Sequence, residues 1–233
     1  MVRPDGRAAD EMRATEMTIG YQEYADGSVL IGMGHTRVLC AATVEERLPP
    51  WRPNYEQGWV MAEYSMLPRS TRERTERHIS ARDTEIAQLI GRAMRAAVDL
   101  DLLGPRTIIV DCDALLADGG TRCAAITGGY VALALAVERL VRERSVPPSV
   151  LRAPVAATSV ALTGDEMLLD PCAEEDIRAN VDCVVVVNGD GLIVEVDAPA
   201  AQPFSRAQLE RMLDMAEPAI RELISLQRGL VAS

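Results

Sequence analysis

The segment best suited to hold an anion is Asp118-Gly119-Gly120-Thr121-Arg122. Two adjacent glycines let backbone N–H groups close on a bound group, and an apolar helical pattern begins directly after them. Thr121 adds a hydroxyl and Arg122 a forked donor suited to phosphate. Arg82 stands at the start of another helical pattern, where it can offer a second fork to the same anion. An ordinary strand-to-helix turn carries the same two glycines, so the pattern by itself leaves both readings open. The second set of residues is acidic. Asp182 interrupts the apolar run Val181–Val187 and, by alternation, shares a face with Val184 and Val186. A half-buried carboxylate needs a donor or a cation. If Asp176 converges on Asp182, the pair can hold Mg²⁺ through oxygen ligands and water; a surface acid at a strand end is the alternative. Asp111 and Asp113 form a weaker pair of the same kind.

Charge sets limits on partners. The 233 residues carry a formal charge of −11, which disfavours loose binding to nucleic acid. A local basic segment survives this: Arg69, Arg72, Arg74 and Arg77 fall close together, interleaved with Glu73 and Glu76. They form either a solvated charged face or a guide for a polyanion. The chain has no lysine, so any anion site must use arginine forks, helix N-termini or backbone N–H groups. Cys40, Cys112, Cys123, Cys172 and Cys183 show no C-x-x-C spacing and mostly sit in apolar runs, which predicts buried free thiols. With only His35 and His78, a His/Cys zinc site or a Ser-His-Asp triad has few candidates.

The elements that must position these groups follow from periodicity. Strand patterns cover Met17–Tyr24, Val29–Met33 and Val38–Val44, an antiparallel meander with turns at Asp26-Gly27-Ser28 and Gly34-His35-Thr36. Pro49, Pro50 and Pro53 mark a loop, and Trp59–Tyr64 reads as a short strand. Ile86, Leu89, Ile90, Ala93, Met94 and Ala97 repeat at helical spacing, and Ser80 with Asp83 has the form of a capping box. A buried strand, Thr107–Cys112, leads into the glycine turn and a long apolar helix from about Arg122 to Arg142. Strands follow at Val155–Leu162, Glu166–Leu169, Val181–Val187 and Leu192–Val196, with a hairpin turn at Asn188-Gly189-Asp190-Gly191. A final helix starts at Ser205 and runs to about Leu230, with Pro218 expected to kink or interrupt it.

The order of elements predicts a mixed α/β (α+β) architecture, read as one domain over residues 1–233. The longest clean apolar run, Tyr130–Val137, is far short of the roughly 20 residues of a membrane span. The polar start, Met1-Val-Arg-Pro-Asp-Gly, has no apolar core segment of a leader. Both point to a cytoplasmic protein with no membrane partner.

Taken in order, the segments resemble the bacterial ribonuclease PH family. The resemblance rests on Arg3-Pro-Asp-Gly-Arg7, Thr36-Arg-Val-Leu-Cys-Ala-Ala-Thr-Val-Glu-Glu46, Ala62-Glu-Tyr-Ser-Met-Leu-Pro-Arg69, Ala117-Asp-Gly-Gly-Thr-Arg122, Ile126-Thr-Gly128 and Pro203-Phe-Ser-Arg206, and it covers nearly the whole chain. It implies a ribonuclease PH-like fold, with mixed sheets packed by helices as in domain 2 of ribosomal protein S5. It also implies a ring-shaped homohexamer, a trimer of dimers. The implied activity is phosphate-dependent 3′ to 5′ exoribonuclease action on tRNA 3′ ends, releasing nucleoside diphosphates. By the resemblance, Arg82, Gly120, Thr121 and Arg122 hold the phosphate. Asp176 and Asp182 bind Mg²⁺ or Mn²⁺ and assist the leaving 3′ oxygen, and Arg69, Arg74 and Arg77 line the RNA path.

Several positions depart from the family pattern close to those residues. Leu116 replaces a usual Gln, Ala125 a usual Ser and Val184 a usual Asn. His35 stands for an acid or amide, and Asp197-Ala-Pro-Ala-Ala-Gln202 replaces the family's Gly-Thr-Ala-Glu-Gly run in a shortened segment before Pro203-Phe-Ser-Arg206. The stretch before Arg82 is trimmed. Three accounts of these changes stay open: drift within an orthologue, a diverged paralogue acting on a short RNA or small nucleotide, and a weakly catalytic ring subunit resembling the inactive subunits of the exosome core. Retention of Arg82, Arg122, Asp176 and Asp182 together favours an enzyme.

Overall fold

A computed structural model describes residues 3–52 and 56–231. Pro53 lies outside the described residues. The chain opens with an antiparallel meander, β1 (Thr15–Ile19), β2 (Gly27–Met33) and β3 (Thr36–Glu45). β4 (Trp59–Met66) follows, and α1 (Ala81–Ala96) with the short α2 (Leu100–Leu103) makes the crossover to β5 (Thr107–Leu116). These strands form one sheet in the order β1-β2-β3-β5-β4, antiparallel except for the β4–β5 pair, which is parallel. A parallel pair requires a long crossover, and α1 supplies it. The long helix α3 (Thr121–Arg142) leads to the second sheet. That sheet is made of β6 (Val155–Thr163), β7 (Glu166–Leu169), β8 (Val181–Asn188) and β9 (Ile193–Asp197), antiparallel in the order β7-β6-β8-β9. The short helix α4 (Ala173–Asp176) joins β7 to β8, and α5 (Arg206–Val231) closes the chain.

The layers follow from which faces are apolar. α3 packs on β2, β3 and β5 on one side and on β6 on the other, so it lies between the sheets, with α1 beside it. α5 covers the far face of the second sheet. β8 must therefore be buried on both faces, which a continuous valine run provides. Val184 and Val186 join the core around α3, while Val181, Cys183, Val185 and Val187 join the core beneath α5. The alternation expected for Asp182 holds: it heads the face that points to α3. Gln227 of α5 ties the layers together, its Nε2 donating to Thr127 O and Val155 O at 2.9 Å each.

Four expectations change. β1 ends at Ile19 rather than continuing to Tyr24, because Gly20 turns with φ +68° and donates its N–H back to Ser28 O. β5 runs on to Leu116, carried by pairing with both β3 and β4. α5 is not interrupted at Pro218. Met212, Ala216, Ala219, Ile220, Leu223 and Ile224 anchor it to the sheet on both sides of the proline, and this packing outweighs one missing hydrogen bond. Finally, Thr121–Arg142 is long and apolar enough to cross a membrane, which a search for uninterrupted apolar runs overlooks; most of it is buried between the two sheets. All five cysteines are free and buried, as expected.

Candidate active site

Two helix starts and two strand ends converge on one cavity of about 410 Å³, a size that suits a small ligand. Arg82, Gly120, Thr121, Arg122, Asp176 and Asp182 all line it. The start of α1 is fixed by the expected capping box: Asp83 N donates to Ser80 Oγ at 3.1 Å, and Ser80 N donates to Asp83 Oδ2 at 2.8 Å. That box sets Arg82 in the first turn. The Arg82 guanidinium is exposed and makes no hydrogen bond or ion pair among the described residues.

The start of α3 is built differently. Gly119 and Gly120 both adopt left-handed backbone, with φ +75° and +69°. A Cβ on Gly119 would lie 2.5 Å from Pro171 O, so glycine here lets the turn press against the segment that leads into α4. That contact brings Asp176 beside the turn. The Gly120 N-cap makes no side-chain capping bond, which leaves first-turn N–H groups of α3 for a ligand. Tyr64 OH donates to Thr121 Oγ1 at 2.9 Å. Burial pushes the Tyr64 phenol up to about 12, so it remains a donor.

Arg122 is the pivot of the cluster. Its Nη2 donates to Asp182 Oδ2 in a close ion pair, and its Nη1 donates to Asp197 Oδ2 at 3.0 Å. Burial raises the Asp182 carboxyl above the ordinary range, and the nearby Asp176 and Asp197 charges add to this, against the pull of Arg122. Burial also disfavours charge on Arg122, but the fields of the surrounding acids outweigh it and hold the guanidinium charged. Asp176 has no hydrogen bond or ion pair to its carboxylate among the described residues. Two close carboxylates, one lacking any partner and one incompletely neutralised, fit a hard divalent cation completed by water or substrate oxygens. Among the described residues no group of three or more His, Cys, Asp or Glu side chains is arranged to hold a metal ion, so such side chains alone do not complete a coordination shell.

Arg69, Arg74 and Arg77 lie outside the cavity, exposed on the segment between β4 and α1. None makes an ion pair among the described residues. Thr71, Thr75, Glu76 and His78 of the same segment line the cavity wall. Asp111 and Asp113 do not join the site. They occupy the opposite face of the first sheet, near Glu63, and Ser65 Oγ donates to Asp113. Burial, Glu63 and Asp113 raise the Asp111 carboxyl.

Sequence reasoning missed the parts that hold the turn. Arg13 donates to Asp118 O at 2.5 Å and Gly119 O at 3.3 Å, and its backbone N, Nε and Nη2 all donate to buried Asp170. Arg3 donates to both carboxylate oxygens of Glu175, at 2.8 and 2.9 Å, and to Leu169 O and Asp170 O. Thr36 Oγ1 donates to Gly119 O and accepts from Asp118 N. The only signal for these was the arginine-rich start of the chain. Among the departures, Val184 lines the cavity, Ala125 is buried in α3 and Leu116 is exposed at the end of β5. His35 sits in the β2–β3 turn, and Asp197 meets Arg122.

The first domain of the 3′ exoribonuclease family matches residues 11–137 and the second domain matches residues 153–219. The ribonuclease PH of Moorella thermoacetica is 50% identical over 237 residues, covering 99% of this chain and 95% of that protein. The ribonuclease PH of Solibacter usitatus is 47% identical and covers 99% of each chain. Among solved structures, the exosome of Archaeoglobus fulgidus with RNA bound to its active site aligns with a TM-score of 0.83 at 22% identity. That alignment covers 96% of this chain and 91% of that one, and shows a shared fold.

Proposed function

The chain belongs to the ribonuclease PH family of phosphorolytic 3′ to 5′ exoribonucleases, and from that premise we propose how its residues act and on what. The substrate is the 3′ end of tRNA, and the co-substrate is inorganic phosphate. One observation carries the assignment of roles: Arg82, Gly120, Thr121, Arg122, Asp176 and Asp182, far apart in the chain, share one cavity.

Phosphorolysis brings an anionic nucleophile to an anionic diester, so charge must be offset where the two meet. Arg82 and Arg122 offer forks from two helix starts, and the α3 N-terminus adds backbone donors beside the Thr121 hydroxyl. Held there, a phosphate oxygen attacks the terminal phosphorus. The bond from phosphorus to the preceding 3′ oxygen breaks and that oxygen takes up a proton. The RNA leaves one residue shorter and the terminal residue leaves as a nucleoside diphosphate. Asp176 and Asp182 would hold Mg²⁺ or Mn²⁺, which when bound supplies positive charge opposite the departing 3′ oxygen. Arg122, bonded to Asp182, ties the phosphate side of the site to the acid side. Arg69, Arg74 and Arg77, exposed on the segment whose Thr71, Thr75, Glu76 and His78 line the cavity, give the incoming RNA a set of cations that make no ion pair among the described residues.

The protein works as a homohexamer, a trimer of dimers, in the cytoplasm. Residues 1–233 act as one domain, since α3 packs on both sheets. The test incubates a 3′-extended tRNA and a short single-stranded RNA with Mg²⁺, with and without phosphate, and follows nucleoside diphosphate release. Phosphate-dependent release that disappears in Asp182→Ala, with the tRNA preferred, is the expected result. Release from neither RNA overturns the reading. Light scattering on the purified chain checks the hexamer.

A further inference from the structure

We propose that Asp197 is an internal competitor of phosphate: its carboxylate occupies Arg122 when phosphate is absent and so sets the affinity of the site for phosphate. The inference rests on the phosphorolytic reading above and concerns the same site.

Asp197 is the last residue of β9, paired in register with Val184 of β8. This places its carboxylate at the N-terminus of α3, where Arg122 Nη1 donates to Oδ2 at 3.0 Å. The side chain of Asp197 is 43% exposed, against 21% for Asp182 and 15% for Arg122. It does not line the inner cavity that holds the glycine turn. It lines an outer one of about 730 Å³ between α1 and β9, which shares Arg82, Arg122, Asp176 and Asp182 with the inner cavity. Asp197 thus approaches Arg122 from the solvent side, while Gly120 and Thr121 lie on the inner side.

With Asp182 on Nη2 and Asp197 on Nη1, both terminal nitrogens of Arg122 already face a carboxylate. A guanidinium carries five N–H donors, so Arg122 can still donate to phosphate. Its charge, however, is opposed by two nearby carboxylates, with Asp176 adding a third. Asp182 and Asp176 are bound to the chemistry of the site. Asp182 and Asp197 both contact Arg122, but Asp197 is the more exposed of the two, and that position lets it release the arginine to solvent or to an arriving anion. Its removal raises the positive potential met by phosphate without touching the acids proposed to hold the cation.

The decisive variant is Asp197→Asn, which keeps the shape and an acceptor oxygen and removes the charge. The expected result is a fall of about three- to tenfold in KM for phosphate, with kcat and the KM for RNA unchanged. The gain shrinks as salt rises, because the carboxylate is partly exposed. Asp197→Ala moves KM in the same direction. Calorimetric titration with inorganic phosphate, without RNA, reads the same effect independently of turnover. A phosphate affinity in Asp197→Asn no tighter than the parent's overturns the inference, as does a rise in KM or a fall in kcat, which would make Asp197 an orienting group. Loss of phosphate-dependent release in the parent itself would instead overturn the phosphorolytic reading, and the titration would still decide the part played by Asp197.

Discussion

Glu175 and Asp176 are adjacent in the chain and belong to opposite kinds of arginine–carboxylate cluster. Glu175 is buried, with both carboxylate oxygens taken by Arg3 and one also accepting from Cys172 N. The neighbouring Asp170 is equally enclosed, accepting three donors of Arg13. Asp176, one residue on, faces the cavity, and neither its side chain nor that of nearby Arg82 has a partner among the described residues. The residue types are the same in both clusters. The difference is saturation: the first has used its donors and acceptors on itself, whereas the second holds capacity in reserve. A saturated cluster can only hold the fold, and an unsaturated one can deliver free energy to a ligand.

That contrast predicts separable losses. Arg13→Ala strips the buried Asp170 carboxylate of both guanidinium donors, leaving it the backbone N–H of residue 13 and Arg7 Nη1 at 3.8 Å, and should lower unfolding free energy by about 3 kcal/mol, read by chemical denaturation. Arg122→Ala should lower kcat/KM at low phosphate by about 10²–10³-fold, while the melting temperature stays within about 2 °C of the parent. A large loss of stability in Arg122→Ala, or none in Arg13→Ala, breaks the division between the clusters.

The two clusters were also unequally legible. The site could be read in pieces because each piece carries a local signature: the Ser80–Asp83 capping box, two glycines before a helix, and an acid inside a valine strand. Each keeps its meaning within a few residues of chain, and the resemblance then joined them. The saturated cluster has no such signature. Arg13 and Asp170 are 157 residues apart, and nothing in either sequence neighbourhood names the other. The parallel β4–β5 pairing and the position of α3 between two sheets were invisible for the same reason, since they depend on tertiary packing. Pro218 stays inside α5 because the packing of that helix on the sheet, which no local pattern records, outweighs the local cost of proline.

Acid titration sharpens the contrast through opposite signs. Burial raises the Glu175 carboxyl, but Arg3 and the Cys172 N–H outweigh it, and the native value lies below the ordinary one. Its stabilising contribution is therefore present above the unfolded value of about 4.3 and is lost as pH falls through the depressed native value. Asp182 has the reverse shift, raised chiefly by burial. Its native state favours the protonated form, so its contribution is present below the unfolded value and is lost as pH rises through the raised native value. In metal-free buffer, Glu175→Gln should flatten the acid limb of the stability profile below about pH 4. Asp182→Asn should change the profile above that range and leave the acid limb intact. Identical profiles for the two variants would remove the distinction.

The smallest expected effect tests whether distance alone could explain the clusters. Arg206 Nε lies 2.9 Å from Glu210 Oε1 in the first turns of α5, a separation equal to that between Arg13 Nε and Asp170 Oδ2. Yet the Arg206 and Glu210 side chains are 89% and 58% exposed, so water and salt compete for the same groups. Arg206 also sits at the positive end of the helix dipole, which opposes whatever the pair contributes. Arg206→Ala should therefore change unfolding free energy by less than about 0.5 kcal/mol, whereas Arg13→Ala changes it several-fold more. Equal losses would mean that contact geometry sets the energy of these pairs. Unequal losses assign it to burial and saturation, the two properties in which the structural cluster and the site differ.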